Sequence, residues 1–194
     1  MHTRELTLIG LLTAVPVLHG CFAAAATAVG ATAMVAEDRR TTGIYVEDQN
    51  IELKVSSAIK QKYGKNAQVQ VSTTSYNRFV LLSGEVPTED IKHDAGVIAL
   101  GIENVRNVQN ELTIGPPAGF SQRSADAYVT TKVKSRFLTA NKFQANYVKV
   151  VTNDDVVYLM GLVTPKEADD ATELARTTDG VAKVVRVFEI SANP

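Results

Sequence analysis

Few side chains in this 194-residue sequence could carry chemistry. It has one cysteine and three histidines, of which only His93 follows residue 20. A single cysteine excludes an intrachain disulfide framework and a cysteine-based zinc cluster. No serine lies in a nucleophile-elbow pattern, and His93 has no partner that the sequence makes visible. We therefore expect no catalytic residues and no metal site, and we do not expect an enzyme.

The acidic pairs and the overall charge point away from other kinds of ligand. Asp154-Asp155 and Asp169-Asp170 lack the alternating spacing of a calcium loop. With 20 basic and 21 acidic residues the net charge is -1, so no overall positive charge attracts nucleic acid. No glycine loop of the phosphate-binding kind is present. We expect neither a nucleic-acid partner nor a small-molecule substrate.

The single cysteine, Cys21, follows a segment typical of a secretory signal. A short charged start precedes a nearly apolar run from Leu6 to Leu18. This run contains Pro16 and is shorter than the roughly 20 residues that a membrane span requires. The pattern predicts a signal peptide over residues 1–20.

The residues around Cys21 resemble the lipobox of bacterial lipoproteins. The sequence Leu18-His19-Gly20-Cys21 matches that motif at all positions except His19. The resemblance implies that Cys21 is acylated, and this covalent lipid is the only cofactor that we expect. Phe22, rather than an aspartate, follows the cysteine, which in that family implies sorting to the outer membrane. Residues 21–46 would then form an Ala-rich tether, although an uncleaved anchor over residues 6–36 is an alternative.

The rest of the chain contains an internal repeat. Val80-Leu81-Leu82-Ser83-Gly84-Glu85-Val86 recurs as Val157-Tyr158-Leu159-Met160-Gly161-Leu162-Val163. The offset between matching positions drifts from 78 to 76, which favours two homologous folded units over a tight solenoid. The predicted units are residues 47–114 and 124–190, joined by a Pro/Gly linker at 115–123 and followed by a tail at 191–194.

Each unit is predicted to contain the elements α-β-β-α-β. Apolar residues recur every fourth position in the first helix of each unit, predicted at 48–63 and 125–140. Asp48 and Asp126 are expected to cap these helices. The other predicted elements are strands at 68–74, 78–84, 147–152 and 156–162, helices at 88–101 and 165–177, and last strands at 105–114 and 181–190.

The apolar runs in the central strands predict how the two units meet. Val80–Leu82 and Val156–Met160 are continuous, whereas a strand with one face in water should alternate. We therefore expect an α+β protein of two tandem units, each a three-stranded mixed sheet with two helices, with the two sheets packed on each other.

The ordered set of these motifs resembles the BON domain. The second copy carries the resemblance best, with Leu159-Met160-Gly161-Leu162-Val163 followed by spaced alanines and Gly180-Val181. The first copy has Asn104 where the family usually has glycine, so its last turn is expected to differ. A lipobox followed by two such units resembles the dual-BON outer-membrane lipoproteins. A periplasmic osmotic-stress type without a lipid is the nearest rival, and Cys21 argues against it.

This resemblance implies a periplasm-facing, lipid-anchored protein that supports outer-membrane integrity. The first helix of its second unit would bind anionic phospholipid and recruit the protein to the division site. In this family an aromatic residue on that helix enters the bilayer, and Tyr128 stands at the matching position. The expected phospholipid-binding residues are Tyr128, Thr131, Lys132, Lys134, Ser135 and Arg136.

The charges of that helix agree with the resemblance. Between residues 124 and 142, four basic residues stand against Asp126, a local charge of +3, whereas residues 47–65 reach only +1. Basic residues near an anionic surface contribute about 1 kcal/mol each. The alternatives are that Tyr128 packs on its own domain, or that the protein is a non-catalytic adaptor that binds an envelope or division protein instead of lipid. A further alternative to a lipid-binding protein is an enzyme that acts on peptidoglycan.

The lipobox leads to a direct prediction about Cys21. Labelled palmitate should enter the wild-type protein in cells and should not enter Cys21→Ser, because the chain contains no other thiol to acylate. Equal labelling of the two proteins would contradict the lipoprotein interpretation.

Overall fold

The computed structural model describes residues 38–192, so Cys21 and the predicted signal peptide lie outside the described residues. These residues belong to one compact unit that contains both repeats. The expected class is confirmed, because each repeat has two helices and a mixed sheet. The elements are α1 Thr42–Tyr63, β1 Gln70–Tyr76, β2 Phe79–Val86, α2 Glu89–Leu100, β3 Asn107–Asn110, β4 Thr113–Ile114, α3 Phe120–Ala140, β5 Val148–Asn153, β6 Val156–Val163, α4 Pro165–Arg176 and β7 Lys183–Ile190.

The two sheets share one topology. In the second repeat, β6 pairs antiparallel with β5 and parallel with β7. In the first, β2 pairs antiparallel with β1 and parallel with β3 and β4, which together replace the single strand expected at 105–114. The interruption lies at Leu112, which is buried in the core of the first repeat and whose N–H donates to the Asn110 side chain at 3.3 Å.

Asp48 and Asp126 do not cap helices, and that expectation was wrong. Helix α1 begins at Thr42 and α3 at Phe120, so both aspartates lie well inside their helices. The first turn of α1 therefore lies within the predicted tether, and the first turn of α3 lies within the predicted linker. Thr41 caps α1 by accepting a hydrogen bond from the N–H of Ile44 at 3.3 Å.

Each buried aspartate instead holds the hairpin turn of its own sheet. Asp48 accepts the N–H groups of Asn77 and Arg78 at 2.8 and 2.7 Å. Asp126 accepts the corresponding N–H groups of Asp154 and Asp155, both at 3.1 Å. All four turn residues have positive φ, as a two-residue hairpin loop of type I′ requires. The carboxylates therefore satisfy backbone donors that the tight turns leave without partners.

The turn before the last strand is the same in both repeats, although it was expected to differ. Asn104 has a φ of 68° and Gly180 a φ of 91°. In each case the next residue closes the turn with a similar bond: Val105 N–H to Ile102 at 3.2 Å and Val181 N–H to Thr178 at 3.1 Å. Asparagine fits because it tolerates the left-handed region better than most residues with a side chain.

The two sheets pack face to face, as the apolar runs indicated. The cluster between them contains Tyr76 and Leu81 from the first repeat, and Tyr158, Met160 and Val187 from the second. The neighbouring side chains of β6, Val157 and Leu159, point the other way into the core beneath α3 and α4. The continuous run in β6 therefore divides between two cores, because successive side chains point to opposite faces of a strand.

Two arginines before α1 join the repeats at one side of this interface. Arg39 donates to both carboxylate oxygens of Glu167 at 2.7 and 2.9 Å, and its guanidinium lies 4.0 Å from the centre of the Tyr147 ring. Arg40 lies 3.9 Å from the centre of the Tyr76 ring and donates to Asp48 at 2.7 Å. Neighbouring residues of one segment are thus fixed to different repeats.

The phenol groups buried between the sheets predict a loss of stability at high pH. Burial raises the pKa of Tyr76 to about 12 and that of Tyr158 to about 12. Unfolded tyrosine has a pKa of about 10, so the folded state holds these protons more tightly. Their contribution is complete below pH 10 and is lost as the pH rises through about 12.

We expect Tyr76→Phe and Tyr158→Phe to lose less free energy of unfolding than the wild type between about pH 9 and about pH 11.5. Urea titrations at the two pH values measure this difference. Tyr128→Phe is the control, because its ring is 65% exposed and should follow the wild type. An alkaline loss that is equal in all four proteins would contradict the prediction.

Candidate functional site

The outer face of α3 is the surface on which the predicted binding residues can be judged. Val129, Val133 and Phe137 are buried beneath this helix and fix its rotation. The opposite side is therefore turned to solvent along the whole helix. Three large apolar side chains stand on it: Phe120 is 80% exposed, Tyr128 65% and Leu138 69%.

Tyr128, Thr131 and Ser135 lie together on this outer face, as expected. All three are exposed, and the Thr131 hydroxyl donates to the Ala127 carbonyl of its own helix at 2.9 Å. Lys132 lies at the border of the face and is half-buried. Its ammonium group is 4.9 Å from the centre of the Tyr128 ring and donates to the Asp179 carbonyl. The exposure of Tyr128 argues against the alternative that this ring packs on its own domain.

Arg136 lies away from the outer face and has a structural role. Its guanidinium donates to the Leu174 carbonyl at 2.9 Å and to the Thr178 hydroxyl at 3.0 Å. These acceptors lie at the carboxyl end of α4, where carbonyl groups lack helical partners. A cleft of about 350 Å³ remains there, lined by Lys132, Ser135, Arg136 and residues 177–179. Arg136 thus joins α3 to α4.

The positive charge of α3 is more dispersed than the count of +3 suggested. Asp126 is occupied by the hairpin turn, and Lys142 forms an ion pair with Asp170 at 3.1 Å. Lys134 is exposed and, within residues 38–192, has no ion-pair partner. It is the cation on this helix that is most available to an anionic surface.

Phe120 and Leu138 were not among the predicted binding residues. Phe120, Thr131 and Leu138 are separated by about three and two helical turns, so they form one line along the outer face. The predicted linker at 115–123 concealed Phe120, and Leu138 lay beyond the stretch that resembled the family motif. Continuing the helical spacing from Thr131 in both directions would have found both residues.

The matching helix of the first repeat presents a different surface. Asn50 takes the place of Tyr128, and its neighbour Glu52 pairs with Lys149 of the second repeat at 2.7 Å. Lys54, which matches Lys132, lies 3.7 Å from the Glu103 carboxylate. The positions of α1 that match Tyr128 and Lys134 are thus occupied by Asn50 and Ser56, so α1 has no counterpart of this aromatic and basic pair.

Neither metal binding nor a membrane span is supported by the residues that the structure describes. Within residues 38–192, no three histidine, cysteine, aspartate or glutamate side chains are grouped so that they could hold a metal ion. None of the helices in that part of the chain is sufficiently long and apolar to cross a bilayer.

Comparison with known proteins gives one family and several relatives. Residues 47–116 and 125–192 each match the family described as BON domain. Outer membrane lipoprotein DolP of Haemophilus influenzae is 40% identical over 179 residues, covering 92% of this chain and 93% of that protein. The 21 kDa hemolysin of Actinobacillus pleuropneumoniae is 35% identical, covering 78% of each chain. Osmotically-inducible protein Y of Escherichia coli is 28% identical, covering 73% of this chain and 72% of that protein.

The contacts of Arg136 and Lys134 predict opposite consequences of truncation. Arg136→Ala should lower the free energy of unfolding by about 1–3 kcal/mol, since it leaves partly buried acceptors of α4 without their charged donor. Lys134→Ala should change it by less than about 0.5 kcal/mol, because the side chain is exposed and unpaired. Urea unfolding followed by circular dichroism measures both values, and equal stabilities would contradict the structural role of Arg136.

Proposed function

We propose that this chain, which belongs to the BON domain family and contains two such domains, is a lipid-anchored outer-membrane protein whose second domain binds anionic phospholipid. The family resemblance expected from the sequence is thereby confirmed. The name of the Haemophilus relative supports the location, and its 40% identity exceeds the 28% of the osmotically inducible relative. The protein would face the periplasm from the inner side of the outer membrane, anchored through acylated Cys21, and support the integrity of that membrane.

The main support for a lipid contact is the exposure of the outer face of α3. From Phe120 to Leu138 the helix rises about 27 Å, so its exposed apolar side chains extend along most of its length. A surface helix that exposes both apolar and basic side chains can lie in the plane of a bilayer surface. Tyrosine favours the level of the headgroups, where its ring meets acyl chains and its hydroxyl remains hydrated.

The polar residues of the same face suit an anionic headgroup. Lys134 and Lys132 flank the apolar line, and the hydroxyls of Thr131 and Ser135 lie between them. Cations at this position would attract phosphatidylglycerol or cardiolipin, and the attraction would weaken as salt screens it. Recruitment to a division site rich in anionic lipid would follow from the same preference.

The leading test is the truncation of the ring on α3. Tyr128→Ala should weaken the binding of residues 37–194 to phosphatidylglycerol vesicles by about tenfold, since burying such a side chain contributes roughly 1.5 kcal/mol. Vesicle flotation measures the affinity. Asn50→Ala is the matched control on α1 and should bind like the wild type. The fold should remain intact, because the ring is exposed in the free protein.

Charge removal provides the second part of this test. Lys134→Gln should weaken binding by about fivefold at low salt and reduce the dependence on salt, because one exposed cation contributes about 1 kcal/mol. If Tyr128→Ala binds as tightly as the wild type at every salt concentration, the lipid contact lies elsewhere. If it unfolds the protein, the ring is a packing residue.

A further inference from the structure

A groove in the first domain lies on a different element from the proposed lipid surface. It has a volume of about 430 Å³ and opens between the second half of α1 and the start of β1. Its lining residues are Ser56, Ile59, Lys60, Tyr63, Gly64, Val69, Gln70, Val71 and Ser72. The floor is apolar, formed by the buried Ile59 and the half-buried Tyr63 and Val71.

The strand beside this groove has a free edge. β1 pairs with β2 on one side only, which makes it the edge strand of its sheet. At Ser75 the outward groups are occupied by side chains: the N–H donates to Glu52 at 2.8 Å, and the carbonyl accepts from Lys149 at 3.3 Å. Backbone groups alternate in direction along an antiparallel strand, so those of Thr73 and Val71 also face outward. Within residues 38–192, the outward N–H and carbonyl groups of Val71 and Thr73 have no hydrogen-bond partner.

The geometry of α1 places the groove at Val71, with Thr73 next to its end. Four residues of α1 rise about 6 Å, and two residues of β1 extend about 6.8 Å. Every fourth residue of α1 therefore lies beside every second residue of β1. With Glu52 at Ser75, Ser56 comes level with Thr73, and Lys60 with Val71. The hydroxyl of Thr73, on the strand face turned to α1, is buried and has no hydrogen-bond partner among the described residues.

The second domain shows what fills such a space. Ile59 corresponds to Phe137 in the repeat, and Phe143 packs against Phe137 with ring centres 5.1 Å apart. Phe143 is 9% exposed and belongs to the core of the second domain. In the first domain the loop after α1 has Lys65 and Asn66 in place of this aromatic residue. The first domain therefore has a lysine at the position where its copy packs an aromatic side chain, and the groove beside Ile59 stays open.

The charged side chains around the groove are basic. Lys60 and Lys65 are exposed and, within the described part of the chain, form no ion pair. No carboxylate lines the groove. An occupant with acidic residues is therefore favoured over a neutral or basic one.

We propose that the first domain binds an extended acidic segment of another envelope protein, which adds to β1 as an extra strand. The backbone of the segment pairs with Val71 and Thr73, an apolar side chain enters between Ile59 and Tyr63, and its carboxylates meet Lys60 and Lys65. In strand addition, main-chain bonds give affinity and side-chain pockets give specificity. This site is independent of the lipid contact on α3, so the protein could hold a partner while bound to the membrane.

The test uses residues 37–194 and the synthetic peptide acetyl-Glu-Thr-Phe-Val-Glu-Val-amide, without vesicles. Amide chemical shifts should change at residues 56–64 and 69–73 and remain unchanged on α3. Thr73→Pro removes an outward N–H but no bond to β2, and should weaken binding by at least about tenfold. Lys60→Glu should weaken it by about fivefold or more, through repulsion of the peptide carboxylates. The exposed Lys183→Glu on β7 is the control and should bind like the wild type.

Three outcomes would overturn the proposal. One is the absence of shift changes at residues 69–73 with about 1 mM peptide, because a peptide with a Kd of about 1 mM would then occupy about half of the sites. Another is binding that Lys60→Glu leaves unchanged, a result that remains informative even if Thr73→Pro fails to fold. The third is a concentration-dependent rise in molecular mass, with the same shift changes in the absence of peptide, which would identify the occupant as a second copy of this chain. Vesicle binding by the Lys60→Glu variant should equal that of the wild type, so failure here is distinguishable from failure of the lipid proposal.

Discussion

The packing of the two sheets against each other is the constraint on which the rest of this molecule depends. Each repeat has helices on only one face of its sheet, and three strands with two helices leave the other apolar face uncovered. A domain of about 60–70 residues buries only about 60% of the surface that its unfolded chain exposes, so it is marginally stable when alone. Leu81 in one sheet, with Tyr158 and Met160 in the other, close both uncovered faces in one cluster. Arg39 and Arg40 reinforce the same junction from the segment before α1.

This arrangement determines which surfaces remain for binding. Because each sheet covers the apolar face of the other, the helices lie on the outside of the protein, and each helix keeps one side in solvent. The outer face of α3 and the groove beside α1 belong to different repeats. A membrane contact and a protein contact could therefore coexist without competing for residues.

The two repeats show how one template supports different surfaces. The elements that hold the fold are the same: a buried aspartate at each hairpin turn and a positive φ at Asn104 and Gly180. The differences lie outside these elements. Tyr128 replaces Asn50 on the outside of the first helix, where a substitution changes what the surface binds at little cost in stability. Phe143, a core residue of the second repeat, stands where the first repeat has Lys65.

The sequence alone determined the order of elements, the repeat and the family resemblance. These features follow from periodicity and from local turn chemistry, which each short stretch of chain carries by itself. It also placed Tyr128 on the outside of α3, because the buried stripe of Val129, Val133 and Phe137 fixes the helix rotation. It failed at Asp48 and Asp126, and it did not reveal the contacts of Arg136. The partners of these side chains lie in other elements, and no spacing within one helix reveals them. Only the tertiary structure brought a hairpin turn to each aspartate, divided the side chains of β6 between two cores and placed Arg136 at the end of α4, since burial and hydrogen bonding depend on what lies nearby in space.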